Sequence, residues 1–274
     1  MKYMKDKKRI LALLAVGILV IVCLLPMIFA FRKGENSQGE FMAVVGIAIF
    51  VPVFAYICMI VYRVLKGRNP QVREGIRNVI FDVGNVLMDF DWPSYLKSFG
   101  FEEEKENRLA DVIFKSRTWQ ERDRGGKSEE EYIEAMVAEA PEYESDIREI
   151  MRRSYECIHP VEYSLTWVRF LKEQGCSLYV LSNYCQYMLD VNRKEMAFLP
   201  YMDGVVFSCE VNMLKPETAI YKKLLDEYRL VPSECVFIDD RKENCSSAEA
   251  LGMKTIRFEN FPQAAKELEN MLKS

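Results

Sequence analysis

The chain has 274 residues, of which 50% are hydrophobic and 28% are charged, and its formal net charge is −4. This composition excludes a disordered or collagen-like chain, and the charged fraction excludes a transporter made mostly of membrane helices. The charge is unevenly distributed. Residues 1–77 hold 12 Lys/Arg against 4 Asp/Glu, a net charge of +8, whereas residues 78–274 hold 25 against 37, a net charge of −12. We therefore expect the two parts to face different surroundings.

Two uncharged stretches in the basic part are long enough to cross a membrane. Residues 10–31 and 41–62 each form a run of 22 residues without a charge. At about 1.5 Å per residue, a helix of that length spans a hydrocarbon core roughly 30 Å thick. A cleaved signal peptide is the alternative for the first run, but its length and the second run close behind it favour a span. We expect a membrane hairpin over residues 1–67 and a basic linker over 68–77.

The distribution of basic residues predicts how this hairpin is oriented. Five Lys/Arg precede the first run and five follow the second, whereas only Arg32 and Lys33 lie between the two runs. The cytoplasmic side of a membrane protein carries the excess of Lys and Arg, so both termini are expected in the cytoplasm. Eight irregularly spaced cysteines agree with a reducing compartment. The prediction is a two-span protein of the cell membrane whose acidic domain, 78–274, is cytoplasmic and does not bind nucleic acid.

Short apolar runs alternate with amphipathic stretches through the acidic part. The apolar runs predict buried strands at 78–83, 177–181, 204–207, 235–238 and 254–258. The amphipathic stretches predict helices at 161–174, 186–198, 217–227, 243–250 and 262–272. This alternation predicts an α/β domain with a doubly wound, Rossmann-like parallel sheet. Ligands of such sheets bind beyond the carboxyl ends of the strands.

A segment without strand pattern, about residues 90–160, interrupts this alternation directly after the first strand. It is rich in Glu, Lys and Arg, and its apolar residues recur at helical spacing. Ser128 followed by Glu131 predicts a capping box at the start of one helix. Because the segment follows the first strand, we expect a helical cap over the crevice. Five side chains of this segment are candidates for the crevice wall or for the core of the cap: Trp92, Tyr95, Trp119, Arg122 and Arg124.

Polar side chains follow the strands of the predicted sheet in four places. Taken singly, each has an ordinary explanation as a turn, a helix cap or a solvated loop. The four segments are FDVGNVLMDFD with Asp82, LSNY with Ser182 and Asn183, LKPETAIY with Lys215, and IDDRKEN with Asp239 and Asp240. The carboxyl ends of parallel strands meet at one edge, so these groups are expected to lie together.

In this order the four segments resemble the four motifs of the haloacid dehalogenase-like hydrolase superfamily, over essentially all of residues 78–274. The first motif and the helical cap are similar to those of the subfamily that includes α-D-glucose-1-phosphate phosphatases. The resemblance implies a Mg²⁺-dependent phosphomonoester hydrolase that acts through an aspartyl-phosphate. Its substrate would be a small phosphorylated metabolite such as a sugar phosphate.

The resemblance also implies a role for each site residue. Asp82 would attack phosphorus, and Lys215 would neutralise charge in the transition state. The phosphoryl oxygens would be held by Ser182, Asn183 and Lys215. The Mg²⁺ ligands would be the Asp82 carboxylate, the Gly84 backbone carbonyl and Asp240, with Asp239 close by. Oxygen ligands of this kind suit a hard divalent cation.

One position departs from the usual pattern of the superfamily. Most of its phosphatases carry a second Asp two residues after the nucleophile as general acid and base, and here that residue is Gly84. Asp89 and Asp91 are close in sequence, but Asp91 also reads as a helix start. His159 precedes a proline and is expected to be structural. The sequence therefore leaves the proton donor unassigned.

Two other functions remain open from the sequence. A metal-independent 2-haloacid dehalogenase also uses an aspartate nucleophile without the second Asp, but it has no use for the paired carboxylates Asp239 and Asp240. A catalytically weak scaffold that binds phosphorylated ligands or partners would explain Gly84. The presence of Asp82, Lys215 and Asp240 favours an enzyme over a scaffold.

Overall fold

The computed structural model describes residues 75–273. Both predicted membrane spans lie outside these residues, as does nearly all of the predicted basic linker. Among residues 75–273, no helix combines the length and the apolar character that crossing a membrane requires. The two-span anchor therefore stays a prediction.

Five parallel strands form the central sheet of the described part. Their order is β5–β4–β1–β6–β7. The strands are β1 (Asn78–Phe81), β4 (Ser177–Ser182), β5 (Gly204–Phe207), β6 (Cys235–Asp239) and β7 (Lys254–Arg257). This sheet confirms the predicted Rossmann-like fold, and each strand lies at its predicted position. β1 ends at Phe81, two residues before its predicted end at residue 83. The chain turns there, because the N–H groups of Val86, Leu87 and Met88 all donate to the carbonyl of Val83.

The sheet is buried on both faces, as the apolar runs predict. Val79 and Phe81 pack on one side of β1, where the Phe81 ring meets the Trp167 ring edge-on at 5.1 Å. Ile80 packs on the other side with Tyr221. Burial of a large apolar side chain stabilises a fold by about 1.5–3 kcal/mol, so β1 is fixed from both faces. A rigid β1 holds the residue that follows it in a fixed place.

The helices of the described part fall into two groups. Those packed around the sheet are α6 (Glu162–Glu173), α7 (Gln186–Asn192), α8 (Ser208–Val211), α9 (Thr218–Tyr228), α10 (Lys242–Glu249) and α11 (Phe261–Lys273). Those between β1 and α6 are α1 (Trp92–Lys97), α2 (Glu103–Val112), α3 (Arg117–Arg124), α4 (Glu129–Glu139) and α5 (Glu144–Arg152). The second group is called the cap below. The capping box at the start of α4 is present, with Ser128 and Glu131 exchanging hydrogen bonds.

Two short antiparallel strands join the cap to the sheet domain, and the sequence analysis missed them. They are β2 (Met88–Phe90) and β3 (Ile158–Pro160). The predicted absence of strands between residues 90 and 160 is therefore wrong at the edges of that segment. Three residues per strand are too few to show an alternating pattern.

Four of the five crevice candidates pack inside the cap, whereas Arg124 pairs with Glu217 just before α9, at 2.6 Å. The Trp92 and Phe114 rings stack at 5.0 Å, and Trp119 lies 4.9 Å from Phe114. Arg122 is 1% exposed and forms two hydrogen bonds with Glu129, at 2.6 and 3.0 Å. A buried guanidinium paired in this way holds α3 against α4. These aromatic and basic side chains therefore stabilise the cap.

Candidate active site

The carboxyl end of β1 places Asp82 at the middle of the sheet edge. The backbone N–H of Asp82 donates to the carbonyl oxygen of Ile238 at 2.9 Å, so the residue is still held by the neighbouring strand. Only 7% of Asp82 is exposed. Burial raises the pKa of its carboxyl from 3.8 to about 7, although the Lys215 ammonium acts in the opposite direction. The predicted nucleophile is thus a buried carboxyl whose charge depends on its neighbours.

Lys215 lies between two of the predicted site carboxylates. Its Nζ is 2.8 Å from Asp82 Oδ1 and 2.7 Å from Asp239 Oδ2, and its side chain is 1% exposed. Burial alone would lower the pKa of Lys215, but Asp239 and Asp82 outweigh burial and raise it. The ammonium therefore stays charged beside the nucleophile. A buried cation at this place can stabilise negative charge that develops on a bound group.

Asp239 is already surrounded by protein donors. In addition to Lys215, it accepts hydrogen bonds from Asn244 Nδ2 at 2.9 and 3.1 Å and from the backbone N–H of Arg241 at 2.9 Å. It is fully buried at the end of β6. A carboxylate with this many donors is held in one orientation. Asp239 thus orients Lys215, and its oxygens are largely engaged within the protein.

Asp240 is held from a different side. Its Oδ2 accepts a hydrogen bond from Asn85 Nδ2 at 3.0 Å. Asn85 has a left-handed backbone with φ of 58°, and its Oδ1 accepts from the backbone N–H of Phe90 at 3.2 Å. Burial raises the pKa of Asp240 above 3.8, although the Asn85 hydrogen bond lowers it. The turn after Asp82 therefore fixes the position of Asp240.

The three carboxylates form a group that fits a divalent cation. One oxygen each of Asp82, Asp239 and Asp240 lies within 4.8 Å of the others. Burial raises the pKa values of Asp82 and Asp240, and a bound cation would favour their charged forms. Hard oxygen donors arranged in this way are typical of Mg²⁺ sites. Because Asp239 is engaged by Lys215 and Asn244, the carboxylates best placed for a cation are Asp82 and Asp240.

The position of the missing general acid is sterically open. A Cβ atom added at Gly84 would meet only Phe90 Cβ, at 3.9 Å, which is an ordinary van der Waals contact. Gly125 differs, because its φ is +80° and an added Cβ would lie 3.0 Å from the carbonyl oxygen of Cys209. The backbone therefore requires glycine at 125 and does not require it at 84.

The two predicted phosphate-binding residues after β4 differ in what their side chains do. Asn183 uses both ends of its amide on the backbone of Lys215: Oδ1 accepts from the Lys215 N–H at 2.8 Å, and Nδ2 donates to the Lys215 carbonyl at 3.0 Å. This double hydrogen bond holds the Lys215 segment beside β4. Ser182 is 1% exposed at the end of β4, with its hydroxyl 3.5 Å from the carbonyl of Asn183.

The acid candidates close to Asp82 in sequence lie elsewhere. Asp91 accepts a hydrogen bond from the backbone N–H of Ser94 at 3.0 Å, and this bond lowers its pKa. It therefore caps α1. Asp89 and His159 are paired residues of the exposed β2–β3 ribbon. Asp91 and His159 line an open cavity of about 510 Å³ whose lining does not include Asp82.

Three supporting residues have no role in the sequence prediction, although all are short polar residues within five positions after the end of a strand. They are Asn85, which holds Asp240, Asn244, which holds Asp239, and Ser208. The Ser208 hydroxyl accepts a hydrogen bond from the backbone N–H of Tyr184 at 2.9 Å, directly after Ser182 and Asn183. The signal available was their position beside the motif residues.

Comparison with known proteins identifies two enzymes that this chain covers over nearly their whole length. The chain is 25% identical over 195 residues to Sesquiterpene phosphatase astK of Aspergillus oryzae, and the match covers 70% of this chain and 95% of that protein. It is 23% identical over 209 residues to D-ribitol-5-phosphate phosphatase of Bacteroides thetaiotaomicron, covering 73% of this chain and all of that protein. Other relatives are longer: the match to mouse Bifunctional epoxide hydrolase 2, 42% identical over 71 residues, covers 26% of this chain and 13% of that protein.

A solved structure shares the fold and includes ligands. It is the HAD family enzyme bt-2542 of Bacteroides thetaiotaomicron in complex with magnesium and inorganic phosphate. The TM-score is 0.52 at 26% identity, over 66% of this chain and 93% of that one. In addition, a model of the haloacid dehalogenase-like hydrolase family matches residues 76–252, which include all four motif segments. The chain therefore belongs to the haloacid dehalogenase-like hydrolases.

Proposed function

We propose that the protein is a Mg²⁺-dependent phosphomonoester hydrolase that acts through an aspartyl-phosphate on Asp82. The observation that carries this proposal is the pairing of Asp82 Oδ1 with Lys215 Nζ at 2.8 Å, next to the carboxylate of Asp240. A nucleophilic carboxylate can approach an anionic phosphate only where positive charge is provided. Lys215 provides one such charge within the protein.

The residues that would hold Mg²⁺ are Asp82, Asp240 and the backbone carbonyl of Gly84, with Asp239 positioning Lys215 beside them. When bound, the cation would offset the negative charge of the carboxylates and of the phosphoryl group. Related structures with magnesium and phosphate support this assignment.

Each remaining residue has a role that follows from its contacts. β1 holds Asp82 in a fixed position at the sheet edge. From this position its carboxylate attacks phosphorus in line. Lys215 and the Ser182 hydroxyl stabilise the charge on the phosphoryl oxygens. Asn183 binds phosphate through its backbone, while its amide side chain holds the segment that carries Lys215. Water then hydrolyses the aspartyl-phosphate and releases inorganic phosphate.

The substrate proposed is a small phosphorylated metabolite of the sugar-phosphate class, like that of the α-D-glucose-1-phosphate phosphatases which the first motif resembles. The relative named for ribitol 5-phosphate supports this class. The relative named as a sesquiterpene phosphatase adds prenyl phosphates as a second class. Prenyl phosphates would partition into a membrane, which would give an anchored enzyme direct access to them.

A screen of the full chain tests this function. We expect hydrolysis of p-nitrophenyl phosphate in the presence of Mg²⁺ and loss of that activity with EDTA. The screen would then compare sugar phosphates, prenyl phosphates and nucleotides by phosphate release. Chloride release from 2-haloacids without metal would replace the proposal with the dehalogenase. Phosphate binding without turnover of any compound would replace it with the scaffold.

The enzyme is proposed to be anchored in the cell membrane by spans at 10–31 and 41–62, with its catalytic domain in the cytoplasm. The distribution of basic residues supports this orientation. A reporter that is active only in the cytoplasm, fused after Ser274, is expected to be active. Activity only of a reporter that requires the outside of the membrane would contradict the topology.

A further inference from the structure

Each of the two steps of the proposed hydrolysis includes a proton transfer. The inference made here rests on that proposed function. An alkoxide is a poor leaving group, so the ester oxygen must receive a proton as its bond to phosphorus breaks. The attacking water must later lose one. Gly84 cannot do either, and Asp91 and His159 lie in another cavity. A donor has to come from a different element.

The C-terminal end of α3 brings a cap carboxyl to the catalytic edge. The Ser208 hydroxyl, which accepts from the Tyr184 N–H at 2.9 Å, donates to the backbone carbonyl of Asp123 at 2.5 Å. One serine therefore joins Asp123 to the loop that follows Ser182. The next turn packs tightly as well, because Gly125 lies against the backbone of Cys209. These contacts fix α3 against the sheet domain beside the phosphate-binding loop.

The side chain of Asp123 is half-buried and has no hydrogen bond or ion pair with any residue in the range 75–273. Burial raises the pKa of its carboxyl to about 7, although Arg122, Arg241 and Lys215 lower it. The ionisable groups around it come from seven elements or loops. They are Arg122 on its own helix, Glu129 on α4, Cys157 before β3, Tyr184 and Cys185 after β4, Cys209 on α8, Lys215 before α9, and Arg241 after β6.

Two of the groups that surround Asp123 lie in segments at the carboxyl edge of the sheet. Lys215 and Arg241 belong to the segments that follow two different strand ends, and both exert a field on the Asp123 carboxyl. Because Ser208 joins the Asp123 backbone to the loop after Ser182, Asp123 lies on the cap side of this edge, next to the loop where the substrate phosphoryl group is expected. The other carboxylates at this edge are engaged: Asp239 with Lys215, and Glu243 with Arg241 at 2.7 Å.

We propose that Asp123, supplied by the cap, is the general acid and base of the reaction. In the first step the bond between Asp82 and phosphorus forms and the bond from phosphorus to the ester oxygen breaks. The Asp123 proton passes to that oxygen, and the alcohol leaves neutral. In the second step water bonds to phosphorus, its proton passes to the Asp123 carboxylate, and the bond from phosphorus to Asp82 breaks. Inorganic phosphate is released and both carboxyls are restored.

Two aryl phosphates of similar shape test this role with the full chain. p-Nitrophenolate leaves without a proton, whereas phenolate, with a pKa of about 10, needs one. For Asp123→Asn we expect kcat/KM, which reports the steps up to release of the alcohol, to fall about 10²–10⁴-fold on phenyl phosphate and far less on p-nitrophenyl phosphate. Asp111→Asn, which removes an exposed cap carboxyl paired with Lys115, is the matched control and should leave both rates unchanged.

Two further measurements do not depend on the folding of that variant. In the native chain, kcat/KM on phenyl phosphate should fall above pH 7 while kcat/KM on p-nitrophenyl phosphate does not, because only the release of phenol needs the protonated acid. Adding Gly84→Asp to Asp123→Asn should restore phenyl phosphate turnover, since position 84 has room for a side chain.

Equal losses of kcat/KM on both substrates, no loss of kcat/KM on either, or a native chain that hydrolyses only p-nitrophenyl phosphate would overturn the role of Asp123 and leave the phosphatase function standing. A native chain that hydrolyses neither substrate with Mg²⁺ would instead contradict the proposed function itself.

Discussion

Replacement of Asp82 by asparagine is expected to reduce phosphate release by about 10⁴-fold or more, because a carboxamide cannot serve as the nucleophile. The change keeps the shape of the side chain at the end of β1. The measurement is kcat with p-nitrophenyl phosphate and Mg²⁺, for which Asp226→Asn on the exposed face of α9 is the matched control. Turnover by Asp82→Asn within tenfold of the native rate would exclude an aspartyl-phosphate on this residue.

The same substitution should not lower stability. The pKa of Asp82 is about 7 in the folded protein and 3.8 for an unperturbed side chain, so the folded state binds more protons between these pH values. Its stability relative to the unfolded chain therefore falls as pH rises from about 4 to 7 and stays lower above 7. Asparagine removes this penalty. In EDTA at pH 8, we expect the thermal midpoint of Asp82→Asn to equal or exceed that of the native chain, as is common for functional residues.

Much of the sheet could be predicted from the sequence, because its strands are buried on both faces. A strand such as Cys235–Asp239 is wholly buried and reads as a continuous apolar run that ends in a carboxylate. The strands of the β2–β3 ribbon are three residues long and partly exposed, so they carry no such signal. The prediction was therefore accurate where burial is complete and failed where it is not.

The site was predictable in its composition and less so in its internal contacts. Four strand ends meet at one edge in any parallel sheet of this kind, and this alone brings Asp82 near Asp239. The sequence does not tell whether the Asn183 amide meets a phosphate or the backbone, because it carries both a donor and an acceptor. Asp123 was missed for another reason: it lies in a charged run of the cap, RDRGG, where nothing marks one carboxyl as facing the crevice.

Replacement of Lys215 by methionine is expected to reduce both activity and stability. The ammonium pairs with Asp82 and Asp239 in a buried place, so its loss leaves two carboxylates without their cation. Breaking a buried pair by removing one partner typically destabilises a fold by about 3–5 kcal/mol. Loss of a charge that stabilises the transition state lowers kcat by about 10²–10³-fold. Thermal unfolding at pH 8 and kcat with Mg²⁺ measure the two effects, and Lys223→Met on exposed α9 is the matched control.

A second substitution separates the two roles of Lys215. Asp239→Asn added to Lys215→Met removes one of the two uncompensated charges, so it should recover part of the lost stability and none of the activity. In Lys215→Met alone, the acid limb of the remaining activity should move to higher pH, because the ammonium that lowers the pKa of Asp82 is gone. If Lys215→Met were as active as the native chain, or if the double variant regained activity, Lys215 would act only as a structural partner of Asp239. The expected pattern, in which Asp82→Asn loses activity without losing stability and Lys215→Met loses both, would show that the lysine stabilises the charged nucleophile and the bound phosphate alike.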